Sequence, residues 1–176
     1  VGFDLLGRPI IYTCFSQVHE RHDINASMIH LTLCLEACMQ MLRKRSSRGM
    51  NKTAESRQWI WVVDFGCPRF AFRKNPLMSS MTARLMQHYP EMLNSIVAVN
   101  FPLIYRALWR ISMPYVNERV KDKIIILNED DDMKKTLKSK LGSEATDWLS
   151  SEIKSNRRRC FDWKRKNYKK YWTKPT

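Results

Sequence analysis

Glycine is scarce in this chain of 176 residues, which holds only 5. That shortage argues against a glycine-rich phosphate loop, and neither a P-loop nor a GxGxxG fingerprint occurs. A GxSxG nucleophile elbow is missing as well. The five cysteines, Cys14, Cys34, Cys38, Cys67 and Cys160, are odd in number and form no CxxC pair. Reduced thiols in a cytosolic compartment are expected, rather than a disulfide framework. No stretch approaches the roughly 20 apolar residues that cross a bilayer. The N-terminus lacks the basic-then-apolar order of a secretory leader. The chain is therefore expected to touch a membrane without crossing it. It starts abruptly at a strand-like segment, as a piece cut from a longer protein would.

Metal and catalytic sets are equally thin. In "HERH" the two histidines, His19 and His22, stand three apart instead of the four of HExxH, and no third ligand suggests itself. "EDDD", residues 129–132, reads as the acidic start of a helix before it reads as a cation site. No nucleophile and base are brought together by any motif. Binding is favoured over turnover: no enzyme, no metal and no cofactor are expected.

What is present is charge of one sign and apolar residues in short runs. Apolar residues make up 44% and charged residues 27%, as in ordinary globular proteins. The length suits a single domain with a real core. Net charge is +14 and unevenly spread. Residues 154–176 hold ten Lys or Arg against one acid, Asp162, interleaved with Phe161, Trp163, Tyr168, Tyr171 and Trp172. Residues 1–153 are expected as the folded domain and 154–176 as a basic aromatic tail. Arg157, Arg158, Arg159, Lys164, Arg165 and Lys166 are its candidate membrane-surface cations. Single-stranded nucleic acid would suit the same composition, and so would a solvated tail, but no nucleic-acid motif supports that partner.

Periodicity orders the rest. "RPIIYTCF" reads as a strand after a Gly-Arg-Pro turn. "NASMIHLTLCLEACMQMLRKR" reads as a helix, with Asn25 as N-cap and Met28, Leu31, Leu35, Cys38 and Leu42 inward. Residues 46–57 read as a loop. "QWIWVVDF" is apolar on both faces and suits a central strand of an α/β sheet. A helix over about 76–87, strands at "SIVAVNF" and "KIIIL", an aromatic helix at 103–111, and helices after "NEDDD" and over 143–155 follow. The alternation implies an α/β fold with a mostly parallel sheet.

"DLLGRPI", "WVVDF-G", "HYPEMLNSIVAVNFP", "YRALW" and "KIIIL" occur in this order over residues 4–127. Together they resemble the CRAL-TRIO, or Sec-fourteen-like, lipid-binding domain. The resemblance implies a mixed sheet of about five strands as the floor of a hydrophobic pocket, flanked by helices and covered by a mobile gate helix. It implies one hydrophobic ligand, phosphatidylinositol first, with transfer or presentation at an anionic membrane by a cytoplasmic, transiently peripheral monomer. The gate falls on Leu103, Ile104, Tyr105, Leu108, Trp109 and Ile111. Glu91 and Lys123 stand where the family's inositol-binding members read the headgroup; alone, Glu91 could also sit in the first turn of a helix after Pro90. Tyr12, Trp59, Trp61 and Val63 are the candidate pocket lining.

Departures from the family pattern are specific. Val120 replaces a threonine that commonly helps with phosphate. Trp59 and Trp61 replace the small hydroxyl residues of phosphatidylcholine binders, so a choline headgroup in the usual pose is not expected. The usual preceding helical domain is not in this sequence, as expected of an excised domain, and "GSEATDWL" stands after Leu141 where a closing Gly-Gly is common. An adaptor module with altered or no cargo is the alternative.

Overall fold

The computed structural model describes residues 2–14, 24–49, 53–66, 85, 87–89, 91–101, 106, 110, 118–127 and 131–161. Five strands form one sheet in sequence order: β1 (Gly2–Phe3), β2 (Pro9–Cys14), β3 (Trp59–Asp64), β4 (Leu93–Val99) and β5 (Ile124–Leu127). β1 runs antiparallel to β2, and the other neighbours are parallel. β3 is central, and its run Trp-Ile-Trp-Val-Val explains why: both faces are covered.

Alternation sends successive β3 residues to opposite layers. Ile60 and Val62 join Ile10, Val97 and Val99 against Met133, Leu137, Leu141, Ala145, Leu149 and Ile153. Those six come from α3 (Asp131–Leu141) and α4 (Ser143–Phe161). Their spacing of four keeps one apolar stripe on each helix. Gly142 separates the helices at φ 90, and its N–H donates to the Lys138 carbonyl at 3.0 Å, so an αL residue caps α3.

The other face packs on α1 (Ile24–Ser47), where Leu35, Cys38 and Leu42 meet Ile11 and Trp59. Asn25, expected as the N-cap, is instead the second residue of α1, which starts at Ile24, and Met28 is half-buried. α1 also extends two residues beyond the expected helix, ending with Lys44 and Arg45 in its last turn. Within the expected loop 46–57 a short 3-10 turn forms at Glu55–Arg57, where Ser56 and Thr53 exchange side-chain and backbone hydrogen bonds. A four-residue helix, α2 (Glu118–Lys121), precedes β5 and was not expected. α4 continues through residue 153, the expected end of the domain, to Phe161.

Cys38 is 1% exposed, and burial, with Cys34 beside it, pushes its thiol up to about 12. A neutral, buried thiol is a poor nucleophile. Iodoacetamide at neutral pH is expected to leave Cys38 unmodified in the native protein and to label it after urea unfolding. Site-resolved mass spectrometry checks this.

Among the described residues no helix is long and apolar enough to cross a membrane, and no group of three His, Cys, Asp or Glu could hold a metal ion. The "HERH" segment lies outside the described residues, as does most of the helix expected over 76–87.

Candidate functional site

The α1 side of the sheet carries Trp59, Trp61 and Val63, as strand alternation requires. Trp59 is 0% exposed and stands edge-on to Tyr89, with ring centroids 5.5 Å apart. Its indole Nε1 is buried with no hydrogen-bond partner among the described residues. Trp61 is half-buried and donates from Nε1 to Thr13 Oγ1 at 3.0 Å. The Tyr89 hydroxyl donates to Glu36 Oε1 at 2.6 Å. Burial first, then that carboxylate, pushes the Tyr89 phenol up to about 12. The result is an apolar layer with aromatic side chains on the sheet and aliphatic ones on the helix.

Tyr12 does not belong to this lining. It pairs in register with Val62, so it faces α4 on the opposite side of the sheet. Its hydroxyl donates to Asp64 Oδ2 at 2.8 Å and accepts from Asn156 Nδ2 at 2.9 Å. Tyr12 also stands edge-on to Trp148 of α4. Burial, then the neighbouring Cys14 and Asp64, raises its phenol well above the usual tyrosine range.

Asp64 is the centre of a polar cluster that sequence reasoning missed. It is 0% exposed, and its Oδ1 accepts from the Gly66 N–H and from Asn100 Nδ2, both at 2.8 Å. Asn100 leaves β4 at φ 57, a conformation asparagine tolerates better than most residues. Its Oδ1 accepts from the Arg157 guanidinium at 2.8 Å. Arg157, expected at a membrane surface, is half-buried and turned to the sheet. Arg158 and Arg159 are backbone members of α4, while Lys164, Arg165 and Lys166 lie outside the described residues. A single acid ending an apolar strand, "WIWVVD", was the signal available in the sequence: buried carboxylates need donors.

Glu91 and Lys123 meet the same short segment at the strand-start end of the sheet. Glu91 is exposed, in a turn at φ 58 that leads straight into β4. It therefore does not begin a helix. Its carbonyl accepts from Gln58 Nε2 at 2.8 Å, and Asn94 Nδ2 donates to Gln58 Oε1 at 2.8 Å. The Trp59 N–H donates to the Met92 carbonyl at 2.8 Å. Lys123, half-buried, donates from Nζ to the Leu93 carbonyl at 2.8 Å. No ion pair links Glu91 to Lys123 among the described residues. Residues 91–94 thus receive the Gln58 amide, the Trp59 backbone N–H and the Lys123 ammonium at the strand-start end of the sheet.

The gate residues Leu103, Ile104, Tyr105, Leu108, Trp109 and Ile111 lie outside the described residues; Arg106 and Arg110 between them are helical. On the α3 side a cleft of about 270 Å³ opens between β4, β5 and α3, rimmed by Arg8, Asn94, Asp122 and Lys140. Its rim is polar, unlike the layer around Trp59.

No curated protein matches the chain. Among solved structures it is similar to the crystal structure of Sfh5, at 12% identity and a TM-score of 0.38. That match covers 67% of this chain and 42% of the other, so the chain spans less than half the length of Sfh5. The sequence model of the CRAL/TRIO domain family matches residues 1–145, which is most of the chain. With that match, five strands in a mostly parallel sheet and helices on both faces, the chain belongs to the CRAL/TRIO domain family of lipid-binding and lipid-transfer domains.

Proposed function

We propose that this domain binds one phospholipid of the phosphatidylinositol class and carries or presents it at membranes without catalysis. The observation that supports the reading is that the Lys123 ammonium and the Trp59 main chain both meet residues 91–94, the segment that carries Glu91. The ammonium of Lys123 suits a phosphate, and the carboxylate of Glu91 accepts from ring hydroxyls. The half-buried Lys123 already holds one backbone acceptor, which leaves ammonium protons for a second. The acyl chains would lie against the sheet face of Trp61 and Val63, under the segment from Leu103 to Ile111. The basic tail would meet anionic lipid, and the protein would act as a cytoplasmic monomer, peripheral and transient at the bilayer.

Organic extraction of the purified protein is expected to release phosphatidylinositol and no phosphatidylcholine. Glu91→Ala and Lys123→Ala are each expected to lower phosphatidylinositol transfer between vesicles about tenfold, the loss of one charge-assisted contact. Transfer that is unchanged in both variants would remove the headgroup assignment.

A second reading, an adaptor module without cargo, is favoured by one observation: Trp59 is wholly buried against Tyr89, Leu35, Cys38 and Leu42 and fills that part of the layer itself. An empty extract, with no uptake of labelled lipid from vesicles, would select it.

A further inference from the structure

The turn between β1 and β2, residues 4–8, takes no part in the Trp59 layer, although its last residue, Arg8, rims the α3-side cleft. The Asp4 carboxylate accepts from the backbone N–H of Leu6 at 3.0 Å and of Arg8 at 2.7 Å. It also pairs with the Arg8 guanidinium at 2.6 Å. Across the turn, the Asp4 N–H donates to the Arg8 carbonyl at 3.0 Å and the Gly7 N–H to the Asp4 carbonyl at 2.9 Å. Gly7 sits at φ 73 beneath the Arg45 guanidinium, where a Cβ would come within 1.9 Å of Nη2. These bonds fix the turn in one conformation. What it then presents is apolar. Leu5 is 71% exposed and Leu6 48%, with exposed Phe3 beside them.

Cations flank the leucines on two sides. Arg45 lies 5.4 Å over the Phe3 ring, and the same end of α1 exposes Arg43, Lys44 and Arg48. On the other side Leu5 approaches Gly142 so closely that a Cβ there would come within 2.7 Å of Cδ2. The turn of α3 just before Gly142 exposes Lys138 and Lys140. The charge of Asp4 is consumed by Arg8, and the acid beside this end of α3 is Glu144, in the first turn of α4.

We infer that this turn is a membrane-docking element, in which Leu5 and Leu6 enter the headgroup region of an anionic bilayer while Arg43, Lys44, Arg48, Lys138 and Lys140 meet lipid phosphates. An apolar anchor ringed by basic residues combines the two signals that peripheral binding needs, since neither alone holds a protein on a bilayer. Charge complementarity selects the occupant: an anionic leaflet supplies apolar depth and negative surface potential at one place. The rigid turn presents the leucines without an ordering cost at the moment of contact. The contact stands whether or not the domain carries a lipid.

The test uses the full chain and sedimentation with vesicles of phosphatidylcholine alone, or of phosphatidylcholine and phosphatidylserine at about three to one. Wild type is expected to bind the anionic vesicles and to release them as salt rises. Leu5→Ser/Leu6→Ser is expected to bind them about tenfold more weakly, with an unchanged circular dichroism spectrum. Lys44→Glu/Arg48→Glu, away from the Asp4–Arg8 contacts, is expected to weaken binding to a similar degree. The inference is overturned if Leu5→Ser/Leu6→Ser binds as wild type does, or if wild type binds both vesicle types equally. It is also overturned if wild type sediments in solution as a dimer that Leu5→Ser/Leu6→Ser converts to monomer, because a second copy would then cover the leucines. The lipid extracted from the same variants reports separately on cargo. Turn-dependent vesicle binding by a protein with an empty extract ends the cargo reading and leaves the docking turn standing.

Discussion

Trp59→Ala is expected to lower folding stability by about 3–5 kcal/mol, the largest loss for any apolar side chain in the α1 layer. The reason is packing. The indole is fully buried, meets Leu35, Cys38 and Leu42, and stands edge-on to Tyr89. Removing it takes away its transfer free energy and leaves a cavity between a sheet and a long helix, neither of which can close easily. Urea unfolding followed by far-ultraviolet circular dichroism measures the loss. Trp59→Phe, which keeps a ring against Tyr89, is expected to recover more than half of it. The indole Nε1 has no partner among the described residues, so little hydrogen-bond energy is lost with it. If Trp59→Phe is as damaging as Trp59→Ala, a polar role for Nε1 replaces this packing account. The same substitution bears on cargo. The vacated space lies on the face proposed for the lipid, so Trp59→Ala, analysed by extraction, is expected to admit phosphatidylcholine, which wild type is expected to exclude.

Asp64→Ala is expected to cost about 3–5 kcal/mol, by a different route: three donors lose an acceptor, at about 1–3 kcal/mol each. No cavity of similar size is made. Instead the Tyr12 hydroxyl, the Gly66 N–H and Asn100 Nδ2 each lose an acceptor that is itself fully buried. Removing the acceptor is far worse than removing one donor. Tyr12→Phe is therefore expected to cost only about 1–2 kcal/mol, because Asp64 keeps its two other donors. The double variant Tyr12→Phe/Asp64→Ala should be less destabilised than the two single losses added together, since the hydroxyl orphaned by the second change is removed by the first. Strict additivity would show that the two do not interact.

The same phenol sets an alkaline limit. Burial holds the Tyr12 hydroxyl protonated well above the usual tyrosine range. Below pH of about 10 the phenol is neutral in both the folded and the unfolded chain, and its contribution to stability is fully present. Above that value the unfolded chain ionises while the folded one does not, so stability falls as pH rises. Tyr12→Phe should flatten that fall.

Much of this architecture was legible in residue order. The run "WIWVVD" is apolar at every position but its last, and only a strand covered on both faces accepts that. The stripe of Leu31, Leu35, Cys38 and Leu42 placed one face of α1 on the core, and the structure packs that face on the sheet. Family motifs in order from residue 4 to 127 anticipated the match over residues 1–145. Helix boundaries were less legible. The basic residues at 154–159 looked like the start of a tail, but Asn156 is buried and Arg157 turns to Asn100, so α4 runs on to Phe161. Long basic side chains do not end a helix; they only stay outside the core where they can.

Alternation along one strand is a property of the chain, and the sequence alone was enough to put Trp59, Trp61 and Val63 on a common face. Which residues of a neighbouring strand share that face depends on register, and register is a fact about two strands at once. Tyr12 pairs with Val62 and not with Trp61, so it leaves the lining and joins Asp64 on the α4 side. The same holds for Glu91 and Lys123. The family resemblance implied a clamp, but only the meeting of β4 and β5 brings the Lys123 ammonium to the Leu93 carbonyl, two residues from Glu91. Local periodicity determined the elements and the layer that each apolar residue serves. Contacts between residues 30 to 144 positions apart decided which polar groups meet, because the donors and acceptors of a buried site come from different elements and are satisfied only where those elements pack.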